Sequence, residues 1–182
     1  MKAKASVREY VLVLRCQAGD GKAFADLLNR FGPRTLRYLK GLLDPEAAQD
    51  AHQEVWLTVY RRISDLSNPG GFRTWLFRIT RHRAIDFLRR EQRESELLEM
   101  VAREAPEFSG GMAEPTVSTL DDPALKTAMA RLSPAQRDVL QLRFWEKMPY
   151  QEIALILGCP LGTVRSRIHH AKRLLRHALA EA

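Results

Sequence analysis

Residues 150–173 read YQEIALILGCPLGTVRSRIHHAKR. Two short amphipathic segments lie on either side of Gly158, where a turn needs a residue that tolerates left-handed backbone. At about 100° per residue, Val164, Ile168, Ala171 and Leu175 fall on one face of the second segment. The pattern predicts a helix-turn-helix, with Ile153, Ala154 and Leu157 forming the packing face of its first helix.

The second helix is strongly basic. Residues 162–180 contain no acidic residue and carry Arg165, Arg167, Lys172, Arg173 and Arg176. Ser166, His169 and Arg173 fall opposite the apolar face, with Arg165 and His170 at its margins. The simplest alternative is a solvated basic face on an ordinary surface helix. Because the charge follows a helix-turn-helix spacing, we favour DNA as the partner.

The bulk composition limits the class of protein. The chain has 182 residues and a net charge of +7, which favours an anionic partner. Cys16 and Cys159 are far apart, so neither a disulfide framework nor a zinc site is indicated. No apolar run is long enough to cross a membrane, and no secretory signal is evident. We therefore expect a cytoplasmic protein without membrane insertion.

The chain divides into two helical blocks. No segment alternates at period two, so we predict an all-α fold with helices over residues 7–19, 22–43, 45–63 and 72–93. Residues 94–122 hold eight acidic residues and one basic residue, Arg103, and are typical of a flexible linker, with an extension of the preceding helix to about Arg103 as the alternative for its first part. Ser133 and Pro134 then begin a helix that runs to about residue 145. The expected units are a domain over residues 7–95, a linker over 96–122 and a second domain over 123–180.

The helix predicted over residues 72–93 combines arginines with aromatic residues. Aromatic rings beside arginines are typical of surfaces that stack unpaired bases and follow a phosphate backbone. The alternative places Trp75, Leu76, Ile79 and Phe87 in the core and the arginines in solvent. We expect Trp75 to belong to the core. The basic strip of this helix comprises Arg78, Arg81, His82, Arg83, Arg89, Arg90 and Arg93.

These motifs resemble a known family. The segments DAHQEVW (residues 50–56), FRTWLFRI (72–79) and AIDFLRR (84–90) resemble region 2 of bacterial sigma factors. The segments LSPAQRDVL (132–140), YQEIA (150–154) and GTVRSRI (162–168) resemble region 4. With only these two regions, over roughly residues 10–95 and 123–178, the chain resembles the extracytoplasmic-function (ECF) subgroup of the sigma-70 family.

The resemblance implies a function and a set of binding residues. Such a protein binds core RNA polymerase through its β and β′ subunits, recognises the −35 and −10 promoter elements and promotes DNA melting. The residues implied in docking on the β′ clamp helices are Asp50, Gln53 and Glu54. Those implied at the −10 element, where a flipped base is captured, are Ser67, Asn68, Gly70, Phe72, Trp75, Phe77, Arg78, His82 and Asp86. Those implied at the −35 element are Thr163, Arg165, Ser166, Arg167, His169, His170 and Arg173.

Four positions depart from the family pattern. His82 stands where Asn is common, which leaves the −10 base open. His169 and His170 stand where an aromatic residue and an arginine are often found, which leaves the −35 sequence open. Pro149 replaces a Ser or Thr helix cap. The acidic linker resembles a segment that threads toward the polymerase active centre, and a merely solubilising tether is the alternative.

Two other classes of function are alternatives to this one, an enzyme and a stand-alone regulator. The sequence contains no P-loop, H-E-x-x-H, C-x-x-C or G-x-S-x-G motif, so we expect no catalytic residue, metal or cofactor. The other alternative is a stand-alone helix-turn-helix regulator that binds duplex DNA without polymerase. The region 2 resemblance argues against it. Because many relatives are held inactive by an anti-sigma factor, such a partner is a further hypothesis.

Overall fold

Helices form every regular element in the part of the chain that the computed structural model describes, residues 7–102 and 123–180. The N-terminal half comprises α1 (Val7–Gln17), α2 (Gly21–Lys40), α3 (Pro45–Arg62) and α4 (Phe72–Ala102). The C-terminal half comprises α5 (Pro123–Ala130), α6 (Pro134–Leu140), α7 (Tyr150–Leu157) and α8 (Leu161–Ala180). The all-α prediction is confirmed.

Side-chain caps start the helices where the sequence predicts them. Asp44 accepts hydrogen bonds from the backbone N–H groups of Glu46 and Ala47, and Pro45 occupies the first helical position. Ser133 and Gln136 form a reciprocal capping box at the start of α6. The predicted loop between α3 and α4 contains two short 3-10 turns, Ile63–Asp65 and Pro69–Gly71.

The N-terminal half has its own apolar core. Phe31 of α2 meets Phe72 of α4 edge to face, with ring centroids 5.4 Å apart. Trp56 of α3 is buried in the same cluster, and its indole N–H donates to the Thr35 hydroxyl at 3.1 Å. A buried indole N–H needs such a partner. This core fixes α4 against α2 and α3.

The C-terminal half contains a π-helical turn. Residues Gln141–Trp145 continue α6 with wider hydrogen bonding, and the Glu146 N–H donates to the Gln141 carbonyl at 3.0 Å. Lys147 follows with a φ of +53°, which is uncommon for a residue other than glycine. The turn therefore redirects the chain between α6 and α7. A separate small cluster of Met129, Leu132 and Leu140 packs α5 and α6 against α8.

The two halves share a second apolar core, which the sequence does not predict. Tyr38, Leu39 and Phe77 of the N-terminal half pack in one buried cluster with Met148 and Ile153 of the C-terminal half. The helix α4 also runs to Ala102, beyond the domain boundary predicted at residue 95. Residues 103–122, most of the predicted linker, lie outside the described residues. No helix among the described residues is both long and apolar enough to span a membrane.

Candidate nucleic-acid interface

The helix-turn-helix forms as the sequence predicts. Gly158 ends α7 with left-handed backbone, φ +63° and ψ 37°, and its N–H donates to the Ala154 carbonyl. Pro149 occupies the N-cap of α7 without a side-chain cap hydrogen bond. The stripe of Val164, Ile168 and Ala171 on α8 is buried. Packing of this stripe on the preceding helices turns the other face of α8 outward.

The outward face of α8 is polar and basic. The Ser166 hydroxyl donates to the Thr163 carbonyl at 3.0 Å, which folds Ser166 back onto its own helix. The rings of His169 and His170 meet edge to face at 5.8 Å. The predicted −35 residues that are exposed are Arg165, Ser166, His169, His170 and Arg173, while Thr163 and Arg167 are partly buried. Such a face can offer guanidinium and imidazole donors to base edges and phosphates.

The start of α4 offers a second polar surface. Its preceding loop exposes Ser67, Asn68 and Gly70, and the Asn68 side chain accepts the Gly70 N–H at 3.0 Å. Along α4, positions 75, 78, 82 and 86 fall within about 80° of one another. Arg78 and His82 are exposed there, and Trp75 and Asp86 are partly buried. This stripe and the loop form one continuous candidate surface.

Two of the predicted −10 residues lie elsewhere. Phe72 and Phe77 are completely buried, so neither presents any surface to DNA in this structure. Phe72 packs on Phe31, and Phe77 packs edge to face on Tyr38 at 5.6 Å. Phe77 lies about 200° around the helix from Trp75, which places it on the opposite side of α4. We correct their role to core residues that position the surface. Trp75 itself is partly buried beside Phe72.

The predicted polymerase-docking residues share a face of α3. Asp50 and Gln53 are exposed, and Glu54 is partly buried between Arg83 at 3.4 Å and Arg90 at 3.9 Å. The same face exposes Leu57 and Tyr60, which the sequence analysis missed. Leu57 and Tyr60 lie four and seven residues after Gln53, and this helical spacing in the sequence indicates that they share its face. An exposed apolar pair beside charged groups is typical of a protein-binding surface.

Several arginines of the predicted basic helix are engaged within the protein. Arg81 contacts the Asp138 carboxylate at 2.7 Å, and Arg83 contacts Glu54. Asp138 is buried and also accepts a hydrogen bond from the Tyr38 hydroxyl. Burial raises the pKa of Asp138, and the Arg81 guanidinium opposes that rise. Arg78, Arg89 and Arg93 remain exposed.

A charge cluster around the buried Glu146 lies between the two halves. Glu146, only 2% exposed, contacts Arg34 at 2.5 Å, Arg37 at 3.1 Å and Arg73 at 3.6 Å. Burial and the neighbouring Arg34 lower the pKa of Arg73. The Thr74 hydroxyl also donates to Glu152 at 3.2 Å. The sequence analysis missed this cluster because its partners lie more than 70 residues apart.

Comparison with known proteins finds similarity in both halves. The family model described as Sigma-70 region 2 matches residues 27–94, and the one described as Sigma-70, region 4 matches residues 123–175. The RNA polymerase sigma-H factor of Pseudomonas aeruginosa is 32% identical over 177 residues, which cover 92% of each chain. The ECF RNA polymerase sigma-E factor of Escherichia coli strain K12 is 30% identical over 175 residues, again 92% of each chain.

Two solved structures share the fold. CnrH, determined in complex with the cytosolic domain of CnrY, is 21% identical with a TM-score of 0.69 and matches 96% of this chain and 98% of CnrH. The sigma factor RpoE of Bartonella quintana, determined with the anti-sigma factor NepR, is 24% identical with a TM-score of 0.71. That match covers 87% of this chain and 98% of the RpoE chain.

Proposed function

The chain belongs to the ECF group of the sigma-70 family of RNA polymerase sigma factors, and we propose which of its surfaces bind polymerase and promoter DNA during initiation. A sigma factor directs RNA polymerase to promoters. In the proposal this chain binds core polymerase, recognises the −35 and −10 elements and promotes DNA melting. The polymerase supplies the chemistry, so the chain itself is not an enzyme. Its place of action is the cytoplasm, where polymerase and promoters are found.

The single observation that carries the proposal is the outward face of α8. This face is polar and basic, and it lies opposite a buried stripe in a helix-turn-helix. Arg165 and Arg173 project from the helix and are exposed. In the proposal α8 enters the major groove of the −35 element. An arginine there reads guanine, and the remaining cations hold phosphates. Ser166, His169 and His170 complete the contact, and Thr163 and Arg167 support it at the margin.

The −10 element is assigned to the loop before α4 and to the stripe along α4. Ser67, Asn68 and Gly70 would form the edge of a pocket for an extruded base. Extrusion costs a few kcal/mol, least where stacking is already weak. Trp75, Arg78, His82 and Asp86 would line the path of the separated strand, where an aromatic ring stacks bases and cations follow phosphates.

Core polymerase is assigned to the exposed face of α3. Asp50, Gln53 and Glu54 provide polar contacts, and we add Leu57 and Tyr60 as the apolar centre of the contact. Leu57 is 54% exposed and Tyr60 is 66% exposed, so both side chains are accessible to a partner. Region 2 is proposed to span residues 7–95, with 96–122 as the connection and 123–180 as region 4.

A regulatory partner completes the proposal. The Bartonella quintana sigma factor RpoE was determined in complex with the anti-sigma factor NepR. We extend that class of partner to this chain, and co-purification from the native host tests the extension. A stand-alone regulator is the weaker candidate, because it has no use for a polymerase-docking face on α3.

Promoter melting by Trp75 offers a specific test of the proposal. Loss of a stacked base costs about 1–3 kcal/mol, so Trp75→Ala should slow open-complex formation on duplex promoter by roughly tenfold or more. Permanganate reactivity of unpaired thymines measures this opening. The matched control is Trp145→Ala, which removes a partly buried tryptophan of the C-terminal half.

A promoter that is already unpaired at the −10 element separates melting from folding. If Trp75 acts in melting, the pre-opened template restores the rate with Trp75→Ala. Equal loss of rate on duplex and pre-opened promoter would contradict the role proposed for Trp75. The absence of any opening with the unsubstituted protein and core polymerase would contradict the proposed function itself.

A further inference from the structure

Helix α1 lies along the loop that precedes α4 and is assigned to the −10 element. The side-chain nitrogen of Gln17 donates to the Ile63 carbonyl at 2.9 Å and to the Leu66 carbonyl at 2.7 Å. A side-chain amide nitrogen carries two donor hydrogens, so both are directed at the start of the loop. The bonded residues are 46 and 49 positions apart in the chain. Gln17 therefore fixes the first part of the loop through contacts that the loop itself does not supply.

Tyr10 of the same helix borders the other end of the loop. A β-carbon built on Gly70 would lie 3.9 Å from Cδ2 of Tyr10, which is an ordinary van der Waals distance. At about 100° per residue, Tyr10 and Gln17 are about 20° apart around α1, so they share the face that follows the loop. Tyr10 is 41% exposed. Its ring is therefore accessible at the edge of the surface assigned to the −10 element.

Helix α1 is anchored on the core of the N-terminal half. Val13 is buried in the apolar cluster that contains Phe72. Glu9 is also buried, and its carboxylate lies 3.5 Å from Nη2 of Arg30 on α2. Because both contacts hold α1, its position beside the loop is set by tertiary packing.

Gly70 leaves open space beside two different side chains. A β-carbon at Gly70 would lie 3.2 Å from Oδ1 of Asn68 as well as 3.9 Å from Tyr10. Oδ1 of Asn68 accepts the Gly70 N–H, which leaves the hydrogens on Nδ2 to donate to a ligand. An aromatic ring and an exposed polar group therefore border one residue that has no side chain. A pocket for an unpaired base uses these two elements, a ring for stacking and polar groups for the edge of the base.

Tyr10 also supplies an exposed aromatic group where the predicted −10 residues do not. Phe72 and Phe77 are completely buried, and Trp75 is partly buried. We propose that Tyr10 stacks on the base extruded from the −10 element, and that Gln17 is a positioning residue that holds the loop in place. These roles rest on the proposed function, because the loop is assigned to the −10 element there. Helix α1 thereby becomes part of the −10 site.

Removal of single bases from a promoter tests whether Tyr10 stacks on one of them. The promoter is unpaired over the −10 element, so binding of the polymerase holoenzyme reports base capture without the cost of melting. Each non-template base of the element is replaced in turn by an abasic site. With the unsubstituted protein, replacement of the captured base should weaken binding by roughly tenfold. With Tyr10→Ala, the intact promoter should bind roughly tenfold more weakly, and the same replacement should have little further effect.

Two variants serve as controls for Tyr10→Ala. Tyr10→Phe keeps the ring and should retain the sensitivity to the captured base. Val11→Ala truncates the next side chain of α1, which is 47% exposed, and should leave the binding of every promoter unchanged. Circular dichroism checks that each variant keeps its helices.

Substitutions of Gln17 and Gly70 test the shape of the loop. Gln17→Glu keeps the size of the side chain but removes both donors to the loop carbonyls, so the captured base should contribute less to binding. Asn29→Asp makes the same exchange at an exposed position of α2 and should have no effect. Gly70→Ala places a methyl group beside Asn68 and should weaken capture of the same base several-fold. Gly71→Ala, whose β-carbon meets no atom within 4 Å, is its matched control.

A loss of binding that is the same for every promoter would show that Tyr10 does not stack on a base. Equal losses with Tyr10→Ala and Val11→Ala would make the exposed side of α1 a protein contact and would also overturn the proposed role. So would the absence of any abasic position that weakens binding of the unsubstituted protein. Unchanged sensitivity to the captured base with Gln17→Glu would overturn the positioning role of Gln17.

These outcomes are distinct from a failure of the proposed function. In each of them the unsubstituted protein still binds core polymerase and directs it to the promoter. Failure of the unsubstituted protein to bind core polymerase, or to open any promoter with it, would contradict the proposed function and the role of Tyr10 together.

Discussion

The guanidinium of Arg34 donates two hydrogen bonds to one oxygen of Glu146, from Nε at 2.9 Å and from Nη2 at 2.5 Å. The two residues are 112 positions apart, and each belongs to a different half of the chain. Glu146 reaches this position because the π-helical turn ends at it and Lys147 then reverses the backbone. The local geometry after α6 therefore determines the contact between the halves.

Substitution of Lys147 by glycine tests whether the left-handed backbone at this position is strained. Left-handed backbone costs about 1–2 kcal/mol for an ordinary residue and little for glycine. Lys147→Gly should therefore raise the free energy of unfolding by up to about 1 kcal/mol, measured by urea denaturation. The matched control is Lys172→Gly in the interior of α8, which should lower it by about 1 kcal/mol. If Lys147→Gly lowers the free energy of unfolding as Lys172→Gly does, the backbone at Lys147 is not strained.

Substitution of Gly158 by alanine tests whether the turn between α7 and α8 needs a residue that tolerates left-handed backbone. A β-carbon at Gly158 meets no atom within 4 Å, so Gly158→Ala acts only through the left-handed backbone. It should lower the free energy of unfolding by about 1–2 kcal/mol. Gly162→Ala, which also meets no atom within 4 Å but lies in the helix α8, should raise it by about 0.5–1 kcal/mol. Thermal or urea unfolding measures both, and equal effects of the two substitutions would rule out this explanation.

His52 makes stability depend on pH. Its ring is half-buried, and Nε2 lies 3.0 Å from the Gly32 carbonyl oxygen. Burial lowers the pKa of His52, although the hydrogen bond to Gly32 opposes the shift. The unfolded chain therefore takes up a proton at a higher pH than the folded chain does. The free energy of unfolding should fall as pH drops below the ordinary histidine pKa of about 6.5.

Substitution of His52 by a group that does not titrate isolates this contribution. His52→Gln keeps a side-chain amide that can donate to the Gly32 carbonyl. Urea denaturation between about pH 7.5 and pH 5.5 should show a smaller loss of stability in the variant than in the unsubstituted protein. An unchanged pH dependence would show that His52 does not contribute to it.

Arg165 separates base recognition from general attraction to DNA. If Arg165 reads a guanine, Arg165→Ala should cost about 1–3 kcal/mol on the preferred −35 sequence and less on a sequence with that base changed. Arg8→Ala removes the same charge from an exposed position of α1 and should cost little on either sequence. Binding of the polymerase holoenzyme to the two promoters measures the difference. An equal loss of binding free energy on both sequences would indicate that Arg165 contacts a phosphate and does not read a base.

The sequence predicts those parts of the fold that depend on local pattern. The helix start at Ser133, the left-handed Gly158 and the buried stripe of Val164, Ile168 and Ala171 are all confirmed, because each depends on residues within a few positions. The exposed face of α8 follows from that stripe. The roles of the exposed residues in DNA binding stay predictions.

The contacts between the halves could not be predicted in this way. Asp138 and Glu146 are buried only because residues of α2 and α4 approach them from the other half. For the same reason, Phe77 belongs to a shared core rather than to a DNA-facing surface. The periodicity of α4 can be predicted from a single sequence, but the residues that cover each of its faces cannot. The arginines and aromatic residues of α4 were therefore assigned to one DNA-facing surface. In the structure, one face carries the exposed Arg78 and His82, and another face packs against the C-terminal half through Phe77.

Run-off transcription with bacterial core polymerase, on promoters from the protein's own genome, measures whether this protein acts as a sigma factor. We expect initiation from defined sites when the protein is added. We also expect loss of that initiation when either the −35 or the −10 sequence is scrambled. Tight binding to duplex promoter by the free protein, with no binding to core polymerase and no initiation, would instead favour a stand-alone DNA-binding regulator.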